Sequence, residues 1–243
     1  MLANGKSCPI CNSRFQIEMQ NIYLQRQRTV TQQYFCMDCQ SFFHRSGYKE
    51  PEAQFVGDTK WLLDHPGDYR SSIDVLKSMF PKAKTCFEAG CGVGTLLSQL
   101  KEKGFAASGV DPNPIAVEYA QTHYGVDATW GYFDTLSSPV DVVFAIDVLE
   151  HLEDPRTFFA ALVASTKRDG AIVVRVPTVD RNRWHYLYTA DQDGQKESHD
   201  PFMDNSVHIT HFSTLGVMKM AEDFGCRFLI RGTDRDLFVF SAT

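Results

Sequence analysis

Four of the seven cysteines form two pairs with the same internal spacing, Cys8-Pro-Ile-Cys11 and Cys36-Met-Asp-Cys39. Two CxxC pairs supply four thiolates, which is the ligand set of a tetrahedral Zn²⁺ site. Because four protein ligands leave no open position, such an ion is structural, and it contributes folding free energy to a segment too small to bury much core. A disulfide, or four unrelated cysteines, is the less favoured interpretation. The other three cysteines are isolated in the sequence and are expected to be packing residues.

A glycine-rich stretch near the middle of the chain reads Glu88-Ala-Gly90-Cys91-Gly92-Val93-Gly94. A strand that turns through glycines into a helix lets the backbone approach a ligand and directs free amides at it. The glycines follow GxGxG rather than the GxGxxG of dinucleotide sites, and the preceding Glu88 would repel a phosphate but suit an ammonium group. Asp111 ends the next predicted strand, where sheets of this kind hold a ribose by its hydroxyls.

The elements that position these residues follow a regular alternation from Ser71 onward. Apolar runs of strand length alternate with runs that have helical spacing, which predicts an α/β fold with a parallel sheet covered on both faces. The predicted strands are Thr85–Ala89, Ala106–Val110, Ala128–Trp130, Val140–Ile146, Ala171–Val176, Cys226–Gly232 and Leu237–Ser241. The predicted helices are Leu96–Lys103, Ile115–His123, Phe158–Ser165 and Thr214–Phe224. The last two strands are too close in sequence for a parallel crossover, so they are expected to form an antiparallel hairpin.

Charge separates the first 50 residues from the rest of the chain. They contain six basic and three acidic residues, a net charge of +3, so the other residues carry −9 of the overall −6. Short strands are expected around residues 22–24 and 34–35. Turn-forming residues follow, at Pro51, Gly57, Pro66 and Gly67. We therefore predict a zinc-ribbon segment at residues 1–48, a linker at 49–69 and a catalytic domain at 70–243.

The overall composition excludes several classes of protein. The chain has 243 residues, 43% of them hydrophobic, and a formal charge of −6. It has no apolar run near the roughly 18 residues of a membrane span, and the net charge disfavours a uniformly basic nucleic-acid binder. The first residues have no apolar stretch of the secretory type, so a reducing, cytoplasmic location is expected, where cysteine pairs bind metal more often than they form disulfides.

Taken together, Glu88, the glycine stretch, Asp111 and the strand VDVVFAID followed by VLEHLEDP resemble class I S-adenosylmethionine-dependent methyltransferases. The first motif of that class reads E/DxGxGxG, and its second-strand acid binds the ribose. The resemblance covers residues 69–243. It implies a Rossmann-like, seven-stranded methyltransferase sheet with an antiparallel terminal strand, and S-adenosylmethionine as the cofactor. Cofactor contacts are then expected at Glu88, Gly90, Gly92 and Asp111.

Within that class, the sequence is most similar to the ubiquinone-biosynthesis O-methyltransferases, and this similarity implies further cofactor contacts. Those enzymes carry an arginine about 20 residues before the first loop glycine that binds the cofactor carboxylate, and Arg70 stands 20 residues before Gly90. The residue at Ile146 is expected to touch the adenine or methionine portion. Tyr132 and Phe133 occupy the place where many relatives have an acid that bonds the adenine amine. That departure implies that aromatic packing holds the adenine here.

The same resemblance implies the residues of the acceptor side. In ubiquinone-type O-methyltransferases and plant small-RNA 2′-O-methyltransferases, an E-x-x-E-H segment and a distant histidine bind a divalent cation that polarises the acceptor hydroxyl. Here the segment is Asp147-x-x-Glu150-His151, and the distant histidine is His208 or His211. Two alternatives stay open. His151 acts as a base without a metal, or the segment is purely structural.

The resulting prediction is an O-methyltransferase for a small-molecule acceptor such as a metabolite, sugar or natural product. The alternative is an RNA or protein methyltransferase, less favoured because the positive charge is modest, in which the N-terminal segment docks the substrate. That alternative depends on basic residues interspersed with aromatic ones, namely Arg26, Arg28 and Arg45 near Tyr23, Tyr34 and Phe42. A long segment, residues 178–212, is positioned to cover the acceptor. It contains Trp184, His185, Tyr186 and Tyr188. The sequence determines neither the acceptor nor the oligomeric state.

Overall fold

A computed structural model of the chain describes residues 7–24, 29–44, 55–181, 208–232 and 236–243. Several residues named above lie outside these ranges, namely Arg26, Arg28, Arg45, Pro51, Trp184, His185, Tyr186 and Tyr188. No helix within the described ranges is long and apolar enough to cross a membrane.

The described residues form two sheets. The first has four strands in the order β1-β2-β3-β9, and the second has seven in the order β10-β11-β8-β7-β4-β5-β6. The four-stranded sheet consists of β1 (Gln16–Leu24), β2 (Thr29–Cys36), β3 (Phe42–His44) and β9 (Thr210–His211). The seven-stranded sheet consists of β4 (Thr85–Ala89), β5 (Ala106–Asp111), β6 (Asp127–Trp130), β7 (Val140–Ile146), β8 (Thr166–Arg175), β10 (Arg227–Arg231) and β11 (Leu237–Ser241).

The seven-stranded sheet confirms the predicted fold class. Its strands β6, β5, β4, β7 and β8 pair in parallel, while β11 runs antiparallel to both β8 and β10. Strands β7 and β11 have the predicted bounds because they are apolar runs that the fold buries on both faces. A Rossmann-like sheet with an antiparallel terminal strand is therefore present.

Helices flank this sheet. They are α1 (Phe55–Asp64), α2 (Arg70–Met79), α3 (Thr95–Glu102), α4 (Pro114–Tyr119), α5 (Pro155–Ala164) and α6 (Thr214–Asp223). Side chains cap several helix starts, as when the Asn113 side chain accepts hydrogen bonds from the amides of Ile115 and Ala116. The predicted helix Ile115–His123 is divided, because α4 continues as a π-helical turn at Ala120–Tyr124. Short 3₁₀ turns occur at Leu149–His151 and Val179–Arg181.

The segment predicted to be a linker contains helix α1. One face of α1 contacts α4, since the Thr59 hydroxyl accepts a bond from the Asn113 side chain at 3.0 Å. Most of its large apolar side chains stay exposed, including Val56 and Trp61. Polar contacts thus hold one face of the helix against α4. Because its apolar residues do not form a buried stripe, hydrophobic periodicity did not predict the helix.

The four-stranded sheet joins distant parts of the sequence. Strands β1 to β3 come from the N-terminal segment, whereas β9 comes from the region just before α6 and pairs antiparallel with β3. The apolar core continues across the junction, because Ile10 and Phe43 belong to the same buried cluster as Val174, Val217 and Phe240. The N-terminal sheet is therefore packed into the core of the seven-stranded sheet.

Candidate active site

The glycine turn lies between β4 and α3, at the carboxyl edge of the parallel strands. Gly90, Gly92 and Gly94 all have positive φ, at 82°, 48° and 79°, a conformation that favours glycine. A Cβ atom on Gly90 would lie 2.5 Å from Cγ2 of Val148. This crowding brings the backbone close to the end of β7, where the predicted cofactor would bind.

Asp111 stands at the end of β5, one strand away from the glycine turn. Its two carboxylate oxygens accept backbone hydrogen bonds, one from Gly92 at 2.7 Å and one from Asn113 at 2.8 Å. Burial raises the pKa of Asp111, and these two backbone amides oppose that rise. The carboxylate is thereby fixed next to the turn, as the ribose assignment requires.

Glu88 is the penultimate residue of β4 and is 4% exposed. Its Oε2 atom has no hydrogen-bond partner among the described residues. Burial raises the pKa of Glu88 well above its usual value, the nearby charge of Asp111 raises it further, and Arg175 opposes the rise. An unsatisfied buried carboxylate costs free energy, so this side chain is prepared for a cationic partner such as an ammonium group.

Sequence analysis missed a polar group beside Glu88. The Arg175 guanidinium, at the end of β8, donates from Nε to Oδ1 of Asp147 at 2.8 Å and from Nη2 to Oδ2. It also donates to the Tyr69 hydroxyl at 3.3 Å and lies over the Tyr69 ring. A charged residue at the end of an apolar strand was the available sequence signal. Asp147 is thus held by an ion pair at the same edge as Glu88.

Two other predicted cofactor residues, Arg70 and Ile146, differ in their exposure to solvent. Arg70 is exposed at the start of α2 and pairs with Glu102 at 3.2 Å and Asp68 at 3.4 Å. Ile146 is buried at the end of β7, beside Tyr69 in the wall of a cavity of about 260 Å³. These positions leave the roles of Arg70 and Ile146 as predictions.

The aromatic pair predicted near the adenine is split by the structure. Phe133 packs against Phe87 and Phe158, at ring-centroid distances of 5.7 Å and 5.3 Å. Tyr132 is 86% exposed. Trp130, at the end of β6 opposite Asp111, donates from its indole N–H to the Pro112 carbonyl at 3.0 Å.

The acceptor-side prediction brings three residues together. Glu150 and His151 lie on the 3₁₀ turn after β7, and His208 precedes β9. Their candidate ligand atoms all lie within 4.8 Å of one another. Glu150 is 1% exposed, and neither of its carboxylate oxygens has a hydrogen-bond partner among the described residues. One carboxylate and two imidazoles in this arrangement could hold a divalent cation.

Asp147 and His211 are outside this group of three. Asp147 forms an ion pair with Arg175. The pKa of Glu150 is raised mainly by the burial of its carboxyl group, and the charge of Asp147 raises it further. The His211 ring lies 6.2 Å from that of His208, centroid to centroid. Burial lowers the pKa of His211 well below its usual value, and the nearby His208 and His44 lower it further. His211 is therefore a neutral, buried side chain next to the group.

The four paired cysteines also converge. Their sulfur atoms lie within 4.8 Å of one another, with Cys8 3.7 Å from Cys39 and Cys11 3.6 Å from Cys36. These separations are too long for disulfides, which are about 2.05 Å. They fit a tetrahedron of sulfurs around Zn²⁺, since bonds of about 2.3 Å place the sulfurs about 3.8 Å apart. The Ile10 amide also donates to Cys8 Sγ at 3.4 Å.

Comparison with known proteins agrees with this geometry. The family model described as a methyltransferase domain matches residues 64–229, more than half of the chain. The chain belongs to this family. The resemblance to class I S-adenosylmethionine-dependent methyltransferases is confirmed, and the family supports S-adenosylmethionine as the cofactor.

Curated relatives include ubiquinone-biosynthesis O-methyltransferases. The mitochondrial enzyme of Schizosaccharomyces pombe is 30% identical over 118 residues, which cover 42% of this chain and 43% of that protein. An enzyme of the same name from Pseudomonas entomophila is 27% identical, covering 43% of this chain and 48% of that protein. The match thus spans less than half of the length of these relatives.

Solved structures share the fold at low sequence identity. An O-methyltransferase family protein from Burkholderia thailandensis is 17% identical, with a TM-score of 0.58, over 77% of this chain and 59% of that one. An amino pentose methyltransferase from Micromonospora echinaspora, bound to S-adenosylmethionine, is 17% identical, with a TM-score of 0.54, over 82% of this chain and all of that one.

Proposed function

We propose that this protein transfers a methyl group from S-adenosylmethionine to a hydroxyl oxygen of a small-molecule acceptor. The observation that carries the proposal is the convergence of Glu150, His151 and His208 within 4.8 Å. This group follows β7 at the carboxyl edge of the sheet, where the neighbouring strands present Glu88 and Asp111. The shared edge supports a donor site at Glu88 and Asp111 beside an acceptor site at Glu150, His151 and His208.

On the donor side, each predicted residue has a distinct task. Asp111 accepts hydrogen bonds from the ribose hydroxyls, and the positive-φ turn at Gly90 and Gly92 lets the backbone approach the cofactor. Glu88 accepts from the ammonium group of the methionine portion, and this pairing compensates the buried carboxylate. Arg70 remains the predicted partner of the cofactor carboxylate, and Phe133 and Ile146 the predicted apolar contacts.

On the acceptor side, the residues orient the nucleophile and dispose of its proton. Methyl transfer breaks the sulfur–carbon bond, forms an oxygen–carbon bond and releases the hydroxyl proton, so catalysis depends mainly on alignment and deprotonation. Glu150, His151 and His208 would hold a divalent cation, which would supply positive charge that lowers the pKa of the acceptor hydroxyl, so that its proton could pass to water as S-adenosylhomocysteine leaves. Two imidazole ligands favour Mn²⁺, Fe²⁺ or Zn²⁺ over Mg²⁺.

Two further parts of the proposal concern the rest of the chain. Cys8, Cys11, Cys36 and Cys39 hold one structural Zn²⁺, supported by the sulfur geometry. The proposed domains are a ribbon at residues 1–48, a connecting segment at 49–69 and a catalytic domain at 70–243. The proposed location is the cytoplasm.

The class of acceptor is supported by relatives whose names specify oxygen or a sugar. Those relatives are the ubiquinone-biosynthesis O-methyltransferases and the amino pentose methyltransferase. A macromolecular acceptor is the second candidate, and the basic residues on which it depends lie outside the described ranges. Binding of RNA to the full chain that weakens steeply with added salt would favour that candidate.

The decisive experiment removes the acceptor-side cation while the ribbon zinc is monitored. The acceptor is first identified by labelling a metabolite extract with methyl-labelled S-adenosylmethionine. Treatment with EDTA is then expected to abolish turnover and added Mn²⁺ to restore it. The affinity for S-adenosylhomocysteine should stay unchanged, because the cation touches only the acceptor. The variant His151→Ala should lose activity at least 100-fold, the scale of a lost acid–base group, and exposed His123→Ala is the matched control.

The zinc, manganese and iron contents per chain, measured in every sample, separate the two sites, because one zinc per chain marks an intact ribbon and any further ion belongs to the acceptor side. Full activity after EDTA, with the ribbon zinc retained, would rule out a catalytic cation. If His151→Ala were nevertheless inactive, His151 would act as a base without a metal. Failure of the wild type to bind S-adenosylhomocysteine would instead refute the cofactor assignment.

A further inference from the structure

The acceptor-side group contacts the N-terminal sheet through one short strand. Strand β9 lies two residues after His208 and pairs antiparallel with β3, placing Phe42 opposite His211 and Phe43 opposite Thr210. Every described side chain in these two strands is at most 3% exposed. His208 therefore lies just before a strand whose sheet partner belongs to the ribbon segment.

His44, the last residue of β3, makes two hydrogen bonds to the two residues that precede β9. Its backbone amide donates to the Ile209 carbonyl at 3.0 Å. Its ring Nε2 donates to the backbone carbonyl of His208 at 3.1 Å, and His44 is 2% exposed. Because two bonds from one residue fix two successive carbonyls, the backbone of His208 is held in one position relative to the ribbon.

The other side of the same backbone is tied to the turn that carries Glu150. The Ile209 amide donates to the Glu150 carbonyl at 2.8 Å. The Thr210 hydroxyl donates to the Leu152 carbonyl at 3.2 Å. Residues 209–210 thus connect the ribbon on one side with the Glu150–His151 turn on the other, and the separation of the three ligands depends on this connection.

The second cysteine pair is also hydrogen-bonded to the segment that follows β9. The Cys39 carbonyl accepts from the Ser213 hydroxyl, and the Ser213 amide donates to the Ser41 hydroxyl at 2.9 Å. Ser213 also caps helix α6. Ser213, the N-cap residue between β9 and α6, is therefore bonded to Cys39 of the Cys₄ group and to Ser41, two residues further along the chain.

From these contacts we propose that the ribbon segment is a structural part of the acceptor site, with His44 as the residue that positions His208. The role in cation binding rests on the proposed function, because His208 matters there as a ligand. Partners that orient metal ligands typically change metal affinity 10- to 100-fold when they are removed. The ribbon therefore positions a residue of the acceptor site and does not serve to dock a separate substrate.

The test compares His44→Ala with wild type, using the full chain with its ribbon zinc quantified. His44→Gln is the conservative variant, since its amide can still donate a hydrogen bond. The matched control is His65→Ala, because the ring of His65 also bonds a backbone carbonyl, that of Trp61 at 3.0 Å, but on an exposed helix end. The readouts are Mn²⁺ affinity by electron paramagnetic resonance, S-adenosylhomocysteine affinity by calorimetry, and hydrogen exchange of the amides of residues 208–212.

For His44→Ala we expect Mn²⁺ affinity to fall 10- to 100-fold and amide exchange at residues 208–212 to accelerate. The affinity for S-adenosylhomocysteine and the zinc content should stay at wild-type values, His44→Gln should recover part of the Mn²⁺ affinity, and His65→Ala should match wild type. Unchanged exchange and unchanged Mn²⁺ affinity in zinc-loaded His44→Ala would overturn the proposal.

The two proposals fail in different ways. If wild type bound none of Mn²⁺, Fe²⁺ and Zn²⁺ beyond the ribbon zinc, the cation of the proposed function would be refuted, and the exchange of residues 208–212 would still decide the positioning role. Faster exchange confined to His44→Ala supports that role. Equal exchange in His44→Ala and His65→Ala contradicts it.

Discussion

Glu88 carries a conflict between stability and binding. The side chain is buried, and its Oε2 atom lacks a hydrogen-bond partner among the described residues. Burial is the main cause of its raised pKa, and the charge of Asp111 raises the pKa further. A carboxyl whose pKa is higher in the folded than in the unfolded state binds its proton more tightly when folded. The free energy of unfolding therefore declines as pH rises from the unfolded value, about 4.3, through the raised folded value.

The variant Glu88→Gln tests this conflict. Without the buried charge, the ligand-free variant should be more stable than wild type at pH 8, and the difference should shrink as pH falls and Glu88 takes up its proton. The same change should lower the affinity for S-adenosylhomocysteine roughly 10- to 150-fold, which is the effect of losing a hydrogen bond to a charged group. Denaturant unfolding across pH and calorimetry are the measurements. Glu118→Gln, on the exposed side of α4, should alter neither quantity.

Opposite effects on stability and affinity identify Glu88 as a residue kept for binding. A variant less stable than wild type at pH 8, or one with unchanged affinity, would contradict the ammonium assignment.

Among the elements, the turn before α3 depends on glycine for two separate reasons. Gly94 has a φ of 79°, and a Cβ there would lie 2.7 Å from Cβ of Ala120 and 3.1 Å from Val126. Gly104 has a similar φ of 85°, but a Cβ there would meet nothing within 4 Å. The two positions therefore separate backbone strain from crowding.

We predict that Gly104→Ala lowers the free energy of unfolding by about 1–2 kcal/mol, the cost of a left-handed non-glycine residue. Gly94→Ala should lower it by about 1–3 kcal/mol more, because the added methyl overpacks the contact between the turn and the helix after β5. Urea unfolding of both variants measures the difference. Equal losses would mean that the helix shifts without cost to accommodate the methyl group.

The elements also show what sequence patterns can predict. The seven strands of the main sheet were found because apolar runs of strand length are bounded by turn residues. Strands such as β7 are buried on both faces, whereas β6 and β10 are largely exposed. The Glu88 turn and Asp111 were placed correctly at one edge, since parallel strands end together. The structure brings Glu150, His151 and His208 together, whereas Asp147 is paired with Arg175 instead. Cation binding by this group stays a prediction.

Other features had no local signal. Strand β9 is two residues long, and its partner β3 lies more than 160 residues earlier in the chain, so neither propensity nor periodicity could predict the pairing. His44 was not predicted to act on the site for the same reason. Helix α1 was interpreted as linker because Pro51, Gly57, Pro66 and Gly67 read as breakers. Nothing in the local sequence relates Arg175 to Asp147.

At the scale of the whole molecule, the ribbon and the methyltransferase sheet share one core. Ile10, Phe43 and three of the paired cysteines are buried in a cluster that also contains Phe159 and Phe212. The Arg156 side chain of α5 donates to the Ile10 carbonyl at 2.9 Å. A methyl group on Gly216, in α6, would lie 2.5 Å from the Ser41 hydroxyl. Contacts this close imply that the two parts do not unfold independently.

Zinc removal should therefore destabilise the entire chain in a single step. A structural zinc contributes roughly 10 kcal/mol or more to folding, and each kcal/mol shifts the melting temperature of a domain of this size by about 2–4 °C. We expect calorimetry of the Cys36→Ser variant to show one transition, lowered by more than about 10 °C, in place of an early ribbon transition followed by an unchanged main one. Cys226→Ser is the matched control, since Cys226 lies outside the Cys₄ group. Two separate transitions in the zinc-free protein would mean that the shared core does not couple the ribbon to the sheet, because a ribbon that melts alone would leave the seven strands at their original melting temperature.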